Sequence, residues 1–131
     1  FLKILTALLL LFNGIGAIYG GGNLIFHPDG SSIHLSEELL KQTPFTNYLI
    51  PGIILFIANG LYSFAVLVAL LLNLRSYPWM VIAQGVILTG WIIIQILLIQ
   101  TVYFLHIILG GVGVALILLG WIQKQLTDAK N

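Results

Sequence analysis

Four long apolar runs constrain this chain more than any other feature of it. A helix needs about 20 mostly apolar residues to cross roughly 30 Å of hydrocarbon. Residues 2–22, 51–74, 78–99 and 102–122 each meet that length. Lipid offers backbone N–H and C=O groups no partners, so such a run satisfies them internally as a helix. The charge content agrees: 7% of the 131 residues are charged, against about 25% in a soluble domain. Too little polar surface exists to face water on all sides. The first run exceeds the apolar core of a cleavable signal, roughly 7–15 residues, and continues into glycines and an asparagine; we expect a retained span. The expected fold is all-α, a single transmembrane domain over residues 1–131 built as an antiparallel four-helix bundle.

Pro51 and Pro78 fall near span starts, where a missing N–H costs nothing and the fixed φ suits the first turn. The link "NLRSYP" around Arg75 is short, so the second and third spans are antiparallel neighbours. The link near "IQTVYF" is shorter still and has neither Gly nor Pro. Lys3, Arg75, Lys124 and Lys130 all fall on one face when the number of spans is even. By the positive-inside rule that face is cytoplasmic. Both termini are then inside, residues 23–50 form an outer loop, and the chain is expected as a multi-pass protein of a cell inner membrane.

The outer loop contains the one long polar stretch, "FHPDGSSIHLSEELLKQTPF" at residues 26–45. "HPDGSS" has turn chemistry: Pro presets φ, Asp bonds back to the backbone and Gly tolerates positive φ. "LSEELLKQ" reads as a short extracytoplasmic helix, with Ser36 as N-cap and Glu37 and Glu38 in the positive first turn. Its Leu35, Leu39 and Leu40 offer an apolar side to the bundle or the headgroups. His27, Asp29, His34 and Glu38 carry ligand atoms, yet they lack the tight pairs on ordered elements that zinc sites use. A capping loop is the expectation, with no metal.

Within the spans, small and polar residues recur at helical spacing. Thr6, Asn13, Gly16 and Gly20 line one stripe of the first span, Gly16 and Gly20 making a small-xxx-small pair. The second has Gly52, Asn59, Ser63, Val66 and Asn73; the third has Gln84, Leu88, Trp91 and Gln95. The fourth has His106, Gly110, Gly113, Ile117, Gly120 and Lys124, with Leu116 a little round the helix toward lipid. Lipid gives no hydrophobic drive between helices, so close approach at glycine and interhelical hydrogen bonds supply the association. These four stripes are expected to face inward. Counting about 1.5 Å per residue, Gln95 and His106 lie roughly 6 Å below the outer edge, Asn59 about 12 Å and Asn13 about 14 Å. The polar set leans toward the looped face. A candidate ligand pocket there comprises Asn59, Gln95, His106, Trp91, Tyr62 and Asn13, whereas Gly16, Gly20, Gly110, Gly113 and Gly120 are candidates for helix packing.

Several chemistries are excluded. Cysteine is absent, which removes thiol nucleophiles, disulfides and thiolate metal sites. No carboxylate lies within a span, so carboxylate-coupled proton transport has no carrier. Ser63 and His106 differ by about 12 Å in depth by helical rise, far from the roughly 3 Å of a nucleophile–base pair. One intramembrane histidine is too few for a haem held by two. No enzyme activity and no cofactor are expected. A net charge of +1 without a basic run leaves no footprint for nucleic acid.

"TPFTNYLIPG", the "NG" near the middle of the second span and "GVILTGWIIIQ" in the third resemble a group of uncharacterised small four-span bacterial inner-membrane proteins, similar in size to the DoxX-like proteins. The resemblance spans residues 13–120 and implies a bacterial inner-membrane location and four spans. It implies no substrate. The small multidrug exporters share length and span number but depend on a glutamate in the first span, where this chain has, beyond Lys3 at its start, only Thr6, Asn13 and Tyr19 as polar side chains. The expected function is a non-catalytic membrane module: an accessory subunit of a larger assembly, or a self-associating bundle, in contact with membrane lipids. The alternative is an outward-facing binding or transport protein for a lipid-like or small apolar ligand.

Overall fold

The computed structural model describes residues 1–29, 47–99 and 104–130. Its described residues form four helices long and apolar enough to cross a membrane: α1 (Leu2–Phe26), α2 (Leu49–Leu71), α3 (Tyr77–Ile99) and α4 (Phe104–Lys130). The chain is a multi-pass membrane protein. The short helix expected over "LSEELLKQ", residues 35–42 with Ser36 and Glu38, lies outside the described residues, as does His34. So does the tight link between α3 and α4 at residues 100–103.

The helix ends depart from the hydropathy limits because backbone caps and turns, not apolarity, set them. α1 continues to Phe26, where the His27 N–H still reaches the Asn23 carbonyl at 2.8 Å. The Tyr48 N–H bonds the Pro28 carbonyl at 2.7 Å and ties together the two ends of the connection between α1 and α2. Asn47 Oδ1 then accepts the Leu49 N–H at 3.0 Å at the start of α2. α2 ends earlier than expected, in a Schellman turn: Leu74 N–H to Ala69 C=O at 2.9 Å and Asn73 N–H to Leu70 C=O at 3.1 Å. Asn73 supplies the left-handed residue this turn requires, at φ 58°, a position that glycine usually fills. It is therefore exposed in a turn and not part of the inward stripe. α4 runs well beyond residue 122, since nothing in "QKQLTDAK" breaks a helix.

α1 packs most closely on α2, and α3 on α4; contacts between the two pairs are sparser and join α1 to α4 and α2 to α3. Glycines bring each pair to backbone contact. A Cβ on Gly21 would stand 2.8 Å from the Gly52 carbonyl oxygen, and one on Gly60 2.7 Å from Ile18 Cγ1. Between α3 and α4, a Cβ on Gly85 would meet the Gly113 oxygen at 2.6 Å, and one on Gly120 would meet the Ile82 nitrogen at 2.9 Å.

Three expected faces are corrected. Gly16 is exposed, with nothing within 4 Å of where its Cβ would be, and Gly20 and Gly110 make only ordinary contact, with Leu55 and Ile92. In α1 it is Gly14 and Gly21 that the partner helix enters, because Phe64 and the Phe56 backbone project there. Leu116 is wholly buried in the core with Leu10, Val66, Val81, Leu88 and Val112. α4 thus has a wide inner face, its glycine seam toward α3 and its Leu116 side toward the bundle centre.

Candidate functional site

The buried polar side chains fall into three clusters along the bundle axis. The central one surrounds a π-helical segment of α2, Leu55–Leu61. Such a bulge shifts the backbone ladder from i−4 to i−5 and recurs at functional positions. The Asn-Gly dipeptide at 59–60 occupies it. That pair normally signals a turn and was the available sequence cue for this irregularity.

Asn13 Nδ2 donates to the Asn59 backbone oxygen at 3.3 Å and to Ser63 Oγ at 2.9 Å. Ser63 Oγ donates to Gln84 Oε1 at 3.1 Å, and Gln84 Nε2 donates to Asn59 Oδ1 at 3.2 Å. One backbone atom sets the direction of this chain of bonds. A carbonyl oxygen only accepts, so the Asn13 atom facing it is the amide nitrogen. Ser63 therefore accepts from Asn13 and has its single proton for Gln84, whose Nε2 must then face Asn59. The sequence of bonds ends at Asn59 Nδ2, a buried donor with no acceptor among the described residues.

A second cluster lies at the end that carries the cations. Tyr77 O–H donates to Gln123 Oε1 at 2.7 Å, Gln123 Nε2 to Thr6 Oγ1 at 2.8 Å, and Thr6 Oγ1 to the Leu2 carbonyl at 2.7 Å. This ties α1, α3 and α4 together. Gln123 was not among the sequence candidates, because it follows the last apolar run and reads as tail. Its one signal is the helical step from Leu116 through Leu119.

The third cluster is a pair at the looped end, with His106 Nε2 3.0 Å from Gln95 Oε1. His106 is buried, and the buried Trp91 Nε1, one turn below Gln95, has no acceptor among the described residues. Tyr62 packs against the apolar core.

The six pocket candidates are thus divided. Asn13 and Asn59 belong to the central cluster, and Gln95 and His106 to the pair at the looped end. Eleven residues of α3 separate Gln84 from Gln95, about 16 Å by helical rise. Ser63 bonds Gln84 and lies with the central cluster, apart from His106. Among the described residues, clefts open at both ends of the bundle. One of about 420 Å³ is lined by Ile18, Tyr19, Asn23, His27 and Phe56, and one of about 660 Å³ by Lys3, Asn73, Arg75, Tyr77 and Gln123 among others. Neither is lined by Asn59, Gln95 or His106.

Chemically, the interior offers neutral amides, hydroxyls and one imidazole. It can hold helices in register and orient a polar group by hydrogen bonds. No known protein family, curated protein or solved structure matches the chain.

Proposed function

We propose that this protein is a non-catalytic helix-packing module of the bacterial inner membrane, working as a small accessory subunit of a larger membrane assembly. The observation that carries this reading is how the buried polar groups are used. Asn13, Ser63, Gln84, Thr6, Gln123, Gln95 and His106 each bond a side chain on another helix. Side chains so engaged set the relative position of the helices and are not presented to a ligand. The outward surface is large and apolar, with Ile4, Leu8, Leu71, Leu97, Ile107 and Leu118 all more than half exposed. That surface suits lipid tails and other spans alike. With Lys3, Arg75 and Lys124 on one face, both termini are cytoplasmic on this reading.

The alternative, an outward-facing site for a lipid-like or small apolar ligand, draws on Asn59 Nδ2 and Trp91 Nε1, buried nitrogen donors without acceptors among the described residues. Extraction from native membranes in mild detergent, followed by native mass spectrometry, separates the readings. A stoichiometric membrane-protein partner is expected. A tightly held small molecule without any partner, lost in Gln95→Leu, overturns the module reading.

A further inference from the structure

We propose that the cleft at the cation-bearing end of the bundle is a binding site for a phosphate-bearing anion, filled in the membrane by the headgroup of an anionic lipid. The cleft has a volume of about 660 Å³ and is lined by Lys3, Asn73, Arg75, Tyr77, Gln123 and Leu126 among others. It lies where α1 and α3 begin and α2 and α4 end. Two positive and two negative helix ends meet there, so the macrodipoles largely cancel and side chains decide the field.

Those side chains are uncompensated cations. No lining residue is acidic. The nearest carboxylate in sequence, Asp128, is held by Lys124 at 2.8 Å. Lys124 itself lies 4.9 Å from the Trp79 ring centre and 5.5 Å from that of Trp121. Arg75 is exposed and has no hydrogen-bond or ion-pair partner among the described residues. Its planar fork matches two phosphate oxygens at once.

Lys3 is held in place for the same task. Its ammonium donates to Asn73 Oδ1 and stands 5.1 Å from the Tyr77 ring centre. Neither contact neutralises it, and both fix its position. Asn73 occupies the left-handed turn position where glycine is the usual residue, and here it adds a side chain that braces Lys3. With its Oδ1 taken by Lys3, the Asn73 Nδ2 group is a further donor at the rim. The floor does not compete for an anion, because Tyr77, Gln123 and Thr6 bond one another. Leu2, Leu74 and Leu126 supply apolar wall against which a glycerol backbone can rest. Basic pockets between spans on the cytoplasmic side are known headgroup sites, and each cation there favours anionic lipid. The chemistry holds whichever face is cytoplasmic.

The test uses the full chain in nanodiscs of phosphatidylcholine containing one-fifth phosphatidylglycerol. After extraction, native mass spectrometry gives the ratio of the two lipids retained. Wild type is expected to retain phosphatidylglycerol preferentially, and Arg75→Gln to lower that preference about fivefold, the effect of one interfacial cation. Asn73→Gly is expected to lower it as well without loss of melting temperature, since glycine suits the backbone there. Lys124→Gln is expected to leave it unchanged. Inorganic phosphate at millimolar concentration distinguishes the sources: displacement of the lipid shows that a free anion suffices, and retention shows that the acyl chains contribute. Equal retention of both lipids by wild type overturns the proposal. So does an equal loss in Lys124→Gln and Arg75→Gln, which would mean surface charge without a site.

Discussion

Gly85→Ala tests the seam between α3 and α4 most directly. The added methyl would lie 2.6 Å from the Gly113 carbonyl oxygen, 2.7 Å from Ile117 Cγ1 and 2.8 Å from the Ile117 nitrogen. Two of these are backbone atoms, which cannot rotate aside. Ordinary contact starts at 3.4 Å, so the helices must separate by about 0.8 Å at this level. A gap of that size forfeits roughly a quarter to a half of each dispersion contact across the seam. Overpacking of this kind costs about 1–3 kcal/mol. Gly90, on the same helix, has nothing within 4 Å of its Cβ position. Alanine there removes only the backbone freedom of glycine and stabilises by about 0.5–1 kcal/mol. Two substitutions of identical chemistry, five residues apart, should therefore have opposite signs, with a gap of about 1.5–4 kcal/mol from these ranges. Unfolding in mixed micelles of mild detergent and dodecyl sulfate, followed by far-ultraviolet circular dichroism, measures both. If Gly85→Ala is as stable as Gly90→Ala, the α3–α4 seam is not where the glycines place it.

Gln84→Leu leaves the Ser63 O–H without an acceptor and Asn59 Oδ1 without its donor and should destabilise by about 1–3 kcal/mol; a neutral result in the same assay would mean that the central cluster carries no packing energy. Leu116→Ala, at a wholly buried position, should cost about 2–5 kcal/mol, while Leu118→Ala, 57% exposed, should stay within about 0.5 kcal/mol; similar losses would contradict the orientation of α4. Gln95→Leu breaks the bond to His106 and should lower stability by about 0.6 kcal/mol, read as a small fall in melting temperature. For topology, single cysteines at Ser32 and Ser76 are exposed to an impermeant thiol reagent in intact cells: Ser32 should label and Ser76 should not, and the reverse pattern rejects the cytoplasmic placement of both termini.

The number and nature of the spans were legible in the amino-acid sequence, because burial in lipid is a property of composition over about 20 residues. The inward side of α2 was legible too. Gly52, Asn59, Ser63 and Val66 share one stripe and are all buried, since polar and small residues have few other places to go in hydrocarbon. Which glycines of α1 are used was not legible. Gly14, Gly16, Gly20 and Gly21 make two candidate faces, and the choice falls to the side chains of α2 that enter one of them. Leu116 shows the same limit on α4: leucine fits lipid and core equally well, so its burial depends on α4 facing two neighbours at once. The polar clusters depended most on tertiary structure. Periodicity could mark Asn59, Gln95 and His106 as inward, but not that a π-bulge would turn Asn59 toward Gln84 while Gln95 found His106 a cluster away. Hydrogen-bond partners are fixed by the rotation and depth of each helix against the next. One helix's sequence specifies its own face and length, and only the packed bundle specifies what that face meets.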